Sequence, residues 1–331
     1  MLYIETKSID AAFHFSVEEY ITRSLMPDEP VLMIWQAEKC VMLGNYQVAA
    51  AEINMNFVKQ NNIQIVRRSS GGGAIFTDLG TLLYTVIMPY AQEECPQQIA
   101  RKKVAGLIVD ALNKMGIPAM QEGRNDILVD GKKISGLAQY IRGGHLCTHG
   151  SLLYSANLDM LAQVLHVDED KIKSKAIRSV RSRVANISGY MSGNCQTQEF
   201  KERLKQNLFE GLNVEKYSLS DDDLVQIDKI YHEKYANPSW IFGSSPKFSL
   251  HNGKRFSAGK VEVYLDVVKG IVEHCRVHGD FLGTVPIRGL EECLEKKAFQ
   301  YEVMHDVLDK IPLEAYLGEI TRDEFLSCIF E

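Results

Sequence analysis

The stretch Ile65-Val66-Arg67-Arg68-Ser69-Ser70-Gly71-Gly72-Gly73-Ala74-Ile75-Phe76 decides how this chain is read. Three consecutive glycines bring a backbone close to a ligand with no Cβ in the way. Successive N–H groups in such a turn form a concave nest for an anion. Arg67 and Arg68 add positive charge and forked donors suited to phosphate or carboxylate. No G-K-[ST] follows, so the stretch is not a P-loop, and the G-x-G-x-x-G spacing of a dinucleotide fold is absent. On chemistry alone it reads equally well as a glycine-rich turn between two strands with solvated arginines. The double arginine tilts the balance modestly toward anion binding.

Working outward, Ile63–Arg67 and Leu82–Met88 read as strands on either side of this loop. Upstream, Asp10 caps a helix carrying Ala11, Phe13, Val17, Tyr20, Ile21 and Leu25 at mostly helical spacing. Val31–Trp35 and Val41–Leu43 read as buried strands, Gly44-Asn45 as a turn and Glu52–Asn61 as a short helix. Downstream, Gln97–Met115 is a helix stopped by Gly116 and Pro118. Leu146–Tyr154 is a strand, and helical patterns dominate from Asp159 to Tyr235. The composition shifts at Asn237-Pro238-Ser239-Trp240, and Gly243-Ser244-Ser245-Pro246 marks a domain edge. Beyond it Arg255–Asp266 and Ile271–His278 alternate like paired strands, with helical segments near Leu290, Val303 and Phe325. The expected organisation is an α/β or α+β catalytic domain over residues 1–245 and a small α+β domain over 246–331.

The chain has 331 residues, 45% apolar and 24% charged, an ordinary globular balance. Its net charge of -6 argues against a nucleic-acid coat protein while allowing a local basic site. The start Met1-Leu2-Tyr3-Ile4-Glu5-Thr6-Lys7 has no signal-peptide pattern. The best apolar run, Leu82–Met88, is far shorter than the ~20 residues that span a bilayer. Seven cysteines occur with no C-x-x-C pair, which fits reduced thiols and a cytoplasmic protein rather than disulfides or a zinc site. Neither nucleic acid nor membrane is expected as a partner.

A second informative stretch runs Gly123-Arg124-Asn125-Asp126-Ile127-Leu128-Val129-Asp130-Gly131-Lys132-Lys133-Ile134-Ser135-Gly136-Leu137-Ala138-Gln139. Asp130-Gly131 signals a tight hairpin. It places Asn125 and Asp126 on one arm and Lys133 on the other. Lys132 and Lys133 face opposite sides of a strand, so one of them points inward. Gly136 and Ala138 leave room for a ligand beside Lys133. An ammonium against an α-phosphate stabilises the charge that grows during attack by a carboxylate. Taken alone, a solvated hairpin tip with two ordinary lysines is the simpler reading.

Lys171–Arg183 carries six basic residues and no acidic one. The run is a local positive field that draws in a nucleotide or an acidic protein, or else a solvated helix face. No aromatic platform for RNA is interleaved with it. His149-Gly150 precedes a buried stretch and is a candidate pocket wall. Cys147, two residues earlier, is a candidate nucleophile.

Together, Arg67–Gly80, Gly123–Gln139, His149–Leu153 and Ser174–Val184 strongly resemble the motifs of lipoate–protein ligases. Ser16-Val17-Glu18-Glu19, Gly44-Asn45-Tyr46-Gln47, Trp240-Ile241-Phe242-Gly243 and the tail Arg255–Glu331 are similar too, so the likeness covers essentially the whole chain. The resemblance implies the biotin/lipoate ligase fold, a mixed sheet flanked by helices, with a C-terminal accessory domain. It implies that lipoic acid attacks ATP-Mg2+ to give lipoyl-AMP and pyrophosphate. A lysine of a 2-oxoacid dehydrogenase lipoyl domain or of a glycine-cleavage H protein then takes the acyl group. By the same resemblance Lys133 is the essential lysine, contacting phosphate and lipoyl carbonyl. Arg68, Ser70, Gly71, Gly72, Gly73, Ala74, Ile75 and Phe76 form the nucleotide- and acyl-binding loop. Asn125, Asp126, Gly136, Ala138, His149 and Gly150 complete the site, with Asp126 near the metal. Lys175, Arg181 and Arg183 belong to a loop over the adenylate. Ile75, Phe76 and Leu137 are candidates for the apolar lipoate slot.

The chain departs from the family at four places near the expected pocket. It has His14 and Thr81 where Asn is common, and Thr77 and Thr148 where His is common. These departures point to altered acyl or acceptor choice rather than altered chemistry. Two other functions fit parts of the pattern. One is an ATP-independent octanoyl or lipoyl transferase working through a Cys147 thioester. The other is a non-catalytic lipoate- or biotin-binding protein; an intact Lys133 and glycine loop argue against it.

Overall fold

The protein is described here from a computed structural model, covering residues 1–91, 95–165, 183–191, 193, 195–242, 250–268 and 270–330. Strands β1 (Leu2–Ile4), β2 (Val31–Trp35), β6 (Thr81–Pro89), β7 (Met120–Glu122), β8 (Asp126–Val129), β9 (Lys132–Arg142), β10 (His145–Leu153) and β11 (Glu215–Tyr217) form one large sheet. Its order is β11-β1-β2-β6-β10-β9-β8-β7. The three strands at the β11 end run parallel and the rest antiparallel, so the sheet is mixed as expected. A second sheet joins β3 (Cys40–Leu43), β4 (Gln64–Arg67) and β5 (Ile75–Thr77) in the order β4-β3-β5.

Alternation along the central strands builds two cores on opposite faces of the large sheet. Leu32, Ile34, Leu82, Tyr84 and Val86 pack with Val104, Ile108, Phe200 and Leu204 from the helical segments 96–114 and 197–209. The intervening Met33, Trp35, Leu83 and Ile87 pack on the other face, with Phe15 and Val17 and with Met42 and Val66 of the small sheet. Asp10 starts helix Ala11–Tyr20 as expected, its carboxylate accepting the Ala12 N–H at 2.9 Å. The small sheet thus lies over the large one with the first helix beside it, and the interval between the sheets holds the site.

The C-terminal part has its own core and its own sheet, β12 (Leu250–Phe256), β13 (Gly259–Val268) and β14 (Ile271–Gly279). Where the sequence suggested one strand over Arg255–Asp266, the chain turns at Ser257-Ala258. Gly259, at φ 139°, supplies a backbone conformation that side-chain-bearing residues rarely adopt. β11 was not expected either, because its three residues are mostly exposed and show no alternation. The expected helix over Gln97–Met115 is present as Pro96–Lys114, but its turn Ala100–Ala105 is wound as a π-helix. Tyr46, from the catalytic part, is a member of the C-terminal core and stacks on Phe281 at 4.9 Å.

Candidate active site

A cavity of about 180 Å³ opens between the two sheets. Phe15, Trp35, Met42, Ile75 and Leu83 make its apolar walls. Gly72, Gly73 and Ala74 form one rim, and Lys133, Gly136, Ala138 and Gly150 form another. A slot with apolar walls and polar groups at chosen points is the usual form of a small-molecule site.

Lys133 reaches this cavity because the hairpin is irregular. Residues pair Asp126 with Gly136 and Ile127 with Ser135, but Leu128 with Lys133, which leaves Ile134 as an extra residue in β9. A regular strand would put Lys133 on the face of Ser135 and Leu137, which is buried in the core. The bulge moves it to the face of Gly136 and Ala138. There its Nζ lies 2.7 Å from Asp126 Oδ1. Its side chain crosses Gly136, where a Cβ would come within 2.9 Å of Cε and Nζ. Gly150 is constrained as well, since a Cβ there would meet the Tyr84 hydroxyl at 2.4 Å. Asn125 is held by its own amide, which donates to the Leu137 carbonyl at 2.7 Å.

The basic run reaches the same place. Val184 bridges to Lys133, and the Ala185 N–H donates to the Lys133 carbonyl at 3.0 Å. Arg183 is exposed beside this junction, while Lys175 and Arg181 lie outside the described residues.

The two arginines of the loop act differently from the sequence expectation of donors aimed at an anion. Arg67 is buried and donates to the carbonyls of Gly44, Asn45, Gln47, Trp240 and Ile241 at 2.7–3.2 Å. Arg68 donates to Ser70 Oγ and to the carbonyls of Met42, Gly71 and Gly73 at 2.7–3.0 Å. Burial lowers the pKa of each guanidinium to about 10, which leaves both charged at neutral pH. Arg68 still lines the cavity, so its charge is felt there, but its N–H groups shape the loop. The loop also docks on the C-terminal part. The Gly72 N–H donates to the Phe281 carbonyl at 3.1 Å, and a Cβ on Gly71 would meet that oxygen at 2.5 Å. Ile75 faces the cavity, whereas Phe76 points the other way, into the core with Val41 and Leu43.

A chain of buried polar groups closes the end of the cavity away from Lys133. His149 contacts Ser70 Oγ through Nε2 at 2.6 Å and Glu18 through Nδ1 at 3.0 Å. Glu18 also accepts from Thr85 at 2.7 Å, and Thr85 accepts from the Trp35 indole at 3.1 Å. Glu18, Thr85, Trp35 and Phe15 were not singled out as site residues. In sequence Glu18 and Phe15 sit in the first helix and Thr85 and Trp35 in apolar strands, so residue type carried no signal. Cys147 is adjacent, and Glu18, Cys147 and His149 bring three potential ligand atoms within 4.8 Å of one another. Both imidazole nitrogens are already engaged, so the cluster is a hydrogen-bonded wall. Burial pushes the Cys147 thiol well above its usual range, which suits no nucleophile.

The departures at Thr77, Thr81 and Thr148, expected near the pocket, do not themselves line the inter-sheet cavity. All three are buried, and among the described residues their hydroxyls have no hydrogen-bond partner. Thr148 lies on the opposite face of β10 from His149. His14 alone stands next to the wall, stacked on Trp35 at 4.2 Å.

A family profile described as lipoyl protein ligase A/B catalytic domain matches residues 10–209, and one described as bacterial lipoate protein ligase C-terminus matches 245–329. The chain belongs to the lipoate–protein ligase family. Among its relatives, lipoate-protein ligase LplJ of Bacillus subtilis is 37% identical over the full length of both chains. A solved structure of lipoate-protein ligase A bound with ATP is 25% identical, covers 73% of this chain and 98% of its own, and superposes with a TM-score of 0.64. Plasmodium falciparum LipL1 in complex with lipoate shares the fold, with a TM-score of 0.79 at 21% identity over 98% of this chain and 97% of its own. This ligase therefore carries the expected architecture, including the accessory domain, and the resemblance in its motifs is matched along the whole chain.

Proposed function

We propose that this ligase joins lipoic acid to ATP through the inter-sheet cavity, forming lipoyl-AMP, and then passes the lipoyl group to a lysine of an acceptor protein. The observation that carries the reading is the bulged hairpin, which turns Lys133 across Gly136 to face the glycine loop. The apolar walls Phe15, Trp35 and Leu83 take the acyl chain, and its carboxylate lies toward Lys133. The ammonium neutralises charge at the α-phosphate as the carboxylate oxygen attacks and pyrophosphate leaves. In the second step an acceptor amine attacks the acyl carbon, an amide forms and AMP leaves. The apolar walls limit the access of water to the mixed anhydride between the steps.

Asp126 has the chemistry for Mg2+, which binds through one or two carboxylates together with substrate phosphates. The ion would offset phosphate charge. Its arrival would also compete with Lys133 for Asp126. The acceptor is a lipoyl domain of a 2-oxoacid dehydrogenase or a glycine-cleavage H protein, as the resemblance implies. The catalytic unit ends near residue 245, consistent with the separate C-terminal core. No described helix is long and apolar enough to cross a membrane. All seven cysteines are free, which supports a cytoplasmic setting.

Lipoate-dependent exchange of label between pyrophosphate and ATP tests the assignment. Exchange in the wild type and its severe loss in a folded Lys133→Ala variant are expected. No exchange, with acyl transfer that depends on Cys147, would overturn it in favour of a thioester transferase.

A further inference from the structure

A shallow depression on the far side of the glycine loop holds more positive charge than its one buried carboxylate can balance. Glu19 is buried, and its two oxygens serve Arg23 at 3.2 Å, Lys234 at 2.6 Å, the Tyr235 hydroxyl at 2.8 Å and Arg142. Three cations therefore share one carboxylate. Glu233 also lines the depression, but it faces Lys229 at 3.9 Å as well. Arg23 and Arg142 are partly exposed, and among the described residues neither has an acceptor other than Glu19. Each guanidinium has five N–H donors, and its contact with Glu19 leaves most of them without a partner among the described residues.

Lys234 lies at the base of this cluster, largely buried between Glu19, Ser69 and the Trp240 ring. Burial, opposed by Glu19 and reinforced by Arg142 and Arg23, lowers its pKa to about 8. The Lys234 ammonium also sits over the Trp240 ring at 4.2 Å. We propose that this depression is a second anion site, taking a phosphate-class oxyanion between Arg23, Arg142 and Lys234. Forked guanidinium donors and a half-buried ammonium are the groups that bind such ions. The inference rests on this charge geometry and is independent of the ligase reading.

The site is wired to the loop. Lys234 Nζ donates to Ser69 Oγ at 2.9 Å, and the Tyr235 hydroxyl contacts the same oxygen at 2.7 Å. Ser69 directly precedes Ser70 and the three glycines. A bound anion would hold Lys234 charged and keep its bond to Ser69.

The probe is inorganic pyrophosphate, titrated into the full chain at constant ionic strength and followed by calorimetry and by tryptophan emission. Trp240 lines the depression and reports its occupancy. Two classes of site are expected in the wild type. In an Arg23→Gln/Arg142→Gln variant the Trp240 response should vanish and the second class should weaken at least tenfold, with the KM for ATP unchanged. Arg23→Gln alone touches only an exposed side chain and should weaken the second class severalfold, which guards against misfolding of the double variant. Pyrophosphate binding and tryptophan emission that are unchanged in both variants would overturn the proposal, whatever the number of sites in the wild type.

Discussion

The side chain of Lys133 lies across Gly136, with Cε and Nζ both 2.9 Å from the point where a Cβ on that glycine would sit. Gly136→Ala should therefore displace the ammonium without touching the core. Misplacement of a catalytic group by about an ångström can cost roughly 100-fold in rate. The expected outcome is a 10- to 100-fold fall (roughly) in pyrophosphate exchange, with a melting temperature close to wild type. Wild-type exchange in Gly136→Ala would show that the crossing does not set the position of Lys133.

Arg67 binds five backbone carbonyls, tying β4 to the 44–47 turn and to Trp240-Ile241. Removing it leaves buried acceptors with no donor, so Arg67→Ala should cost on the order of 3–5 kcal/mol. Urea unfolding would measure this. Arg67→Lys should recover only part of the loss, because one ammonium cannot reach acceptors spread around a planar fork. Full recovery by lysine would mean that charge, not geometry, is the contribution.

The glycine loop and the C-terminal part meet at Gly71-Gly72 and Phe281. A Cβ at Gly71 would lie 2.5 Å from the Phe281 carbonyl oxygen. Gly71→Ala should push that contact apart. Hydrogen exchange should speed up at the Gly72 amide, which donates to Phe281, and at the Gly279 amide, which donates to Tyr46. Amides of β6 and β10 should keep their protection. If all four regions exchange faster together, the substitution has loosened the fold rather than the docking.

How much of this was legible in the sequence follows from which features are local. The glycine loop, the Asp130-Gly131 hairpin and the capped first helix are written in neighbouring residues, and each is present. The bulge at Ile134 is not, because it is set by which residues of β8 and β9 face the core, and this decides that Lys133 faces the cavity. The roles of Arg67 and Arg68 depended on carbonyls up to 174 residues away in sequence. Glu18, His149 and Ser70 are brought together from three separate segments, so no spacing announced their hydrogen bonds. The departures at Thr77, Thr81 and Thr148 were expected near the pocket because their neighbours in sequence line it. Strand alternation sends Phe76 and Thr148 away from it.

Cys147 distinguishes a ligase from a thioester transferase. Its thiol is buried beside Glu18 and Tyr140 and is held in the neutral form. Cys147→Ala should keep lipoyl transfer within about threefold of wild type at saturating ATP, since the group lies outside the reacting centre and loses only a small buried volume. Loss of transfer with retained adenylation would assign the thiol a role in the second step.

His14 should make the fold sensitive to mild acid. It is fully buried, contacts the Ser8 carbonyl through Nε2 at 2.9 Å and stacks on Trp35. Burial lowers its pKa to about 4 from the ordinary 6.5. Between those values the unfolded chain binds a proton that the folded chain does not. Its contribution is thus fully present above pH 6.5 and is lost as the pH falls toward 4. The size follows from the shift and is on the order of 3 kcal/mol. His14→Asn carries no titrating group, so its unfolding free energy should fall less steeply than wild type across this window, whatever the carboxylates contribute to both. Because His14 backs Trp35, the wild type should also lose lipoate affinity at the acid end of the range. Parallel stability curves for the two proteins between pH 4 and 6.5 would show that the His14 imidazole accepts its proton without cost to the wall.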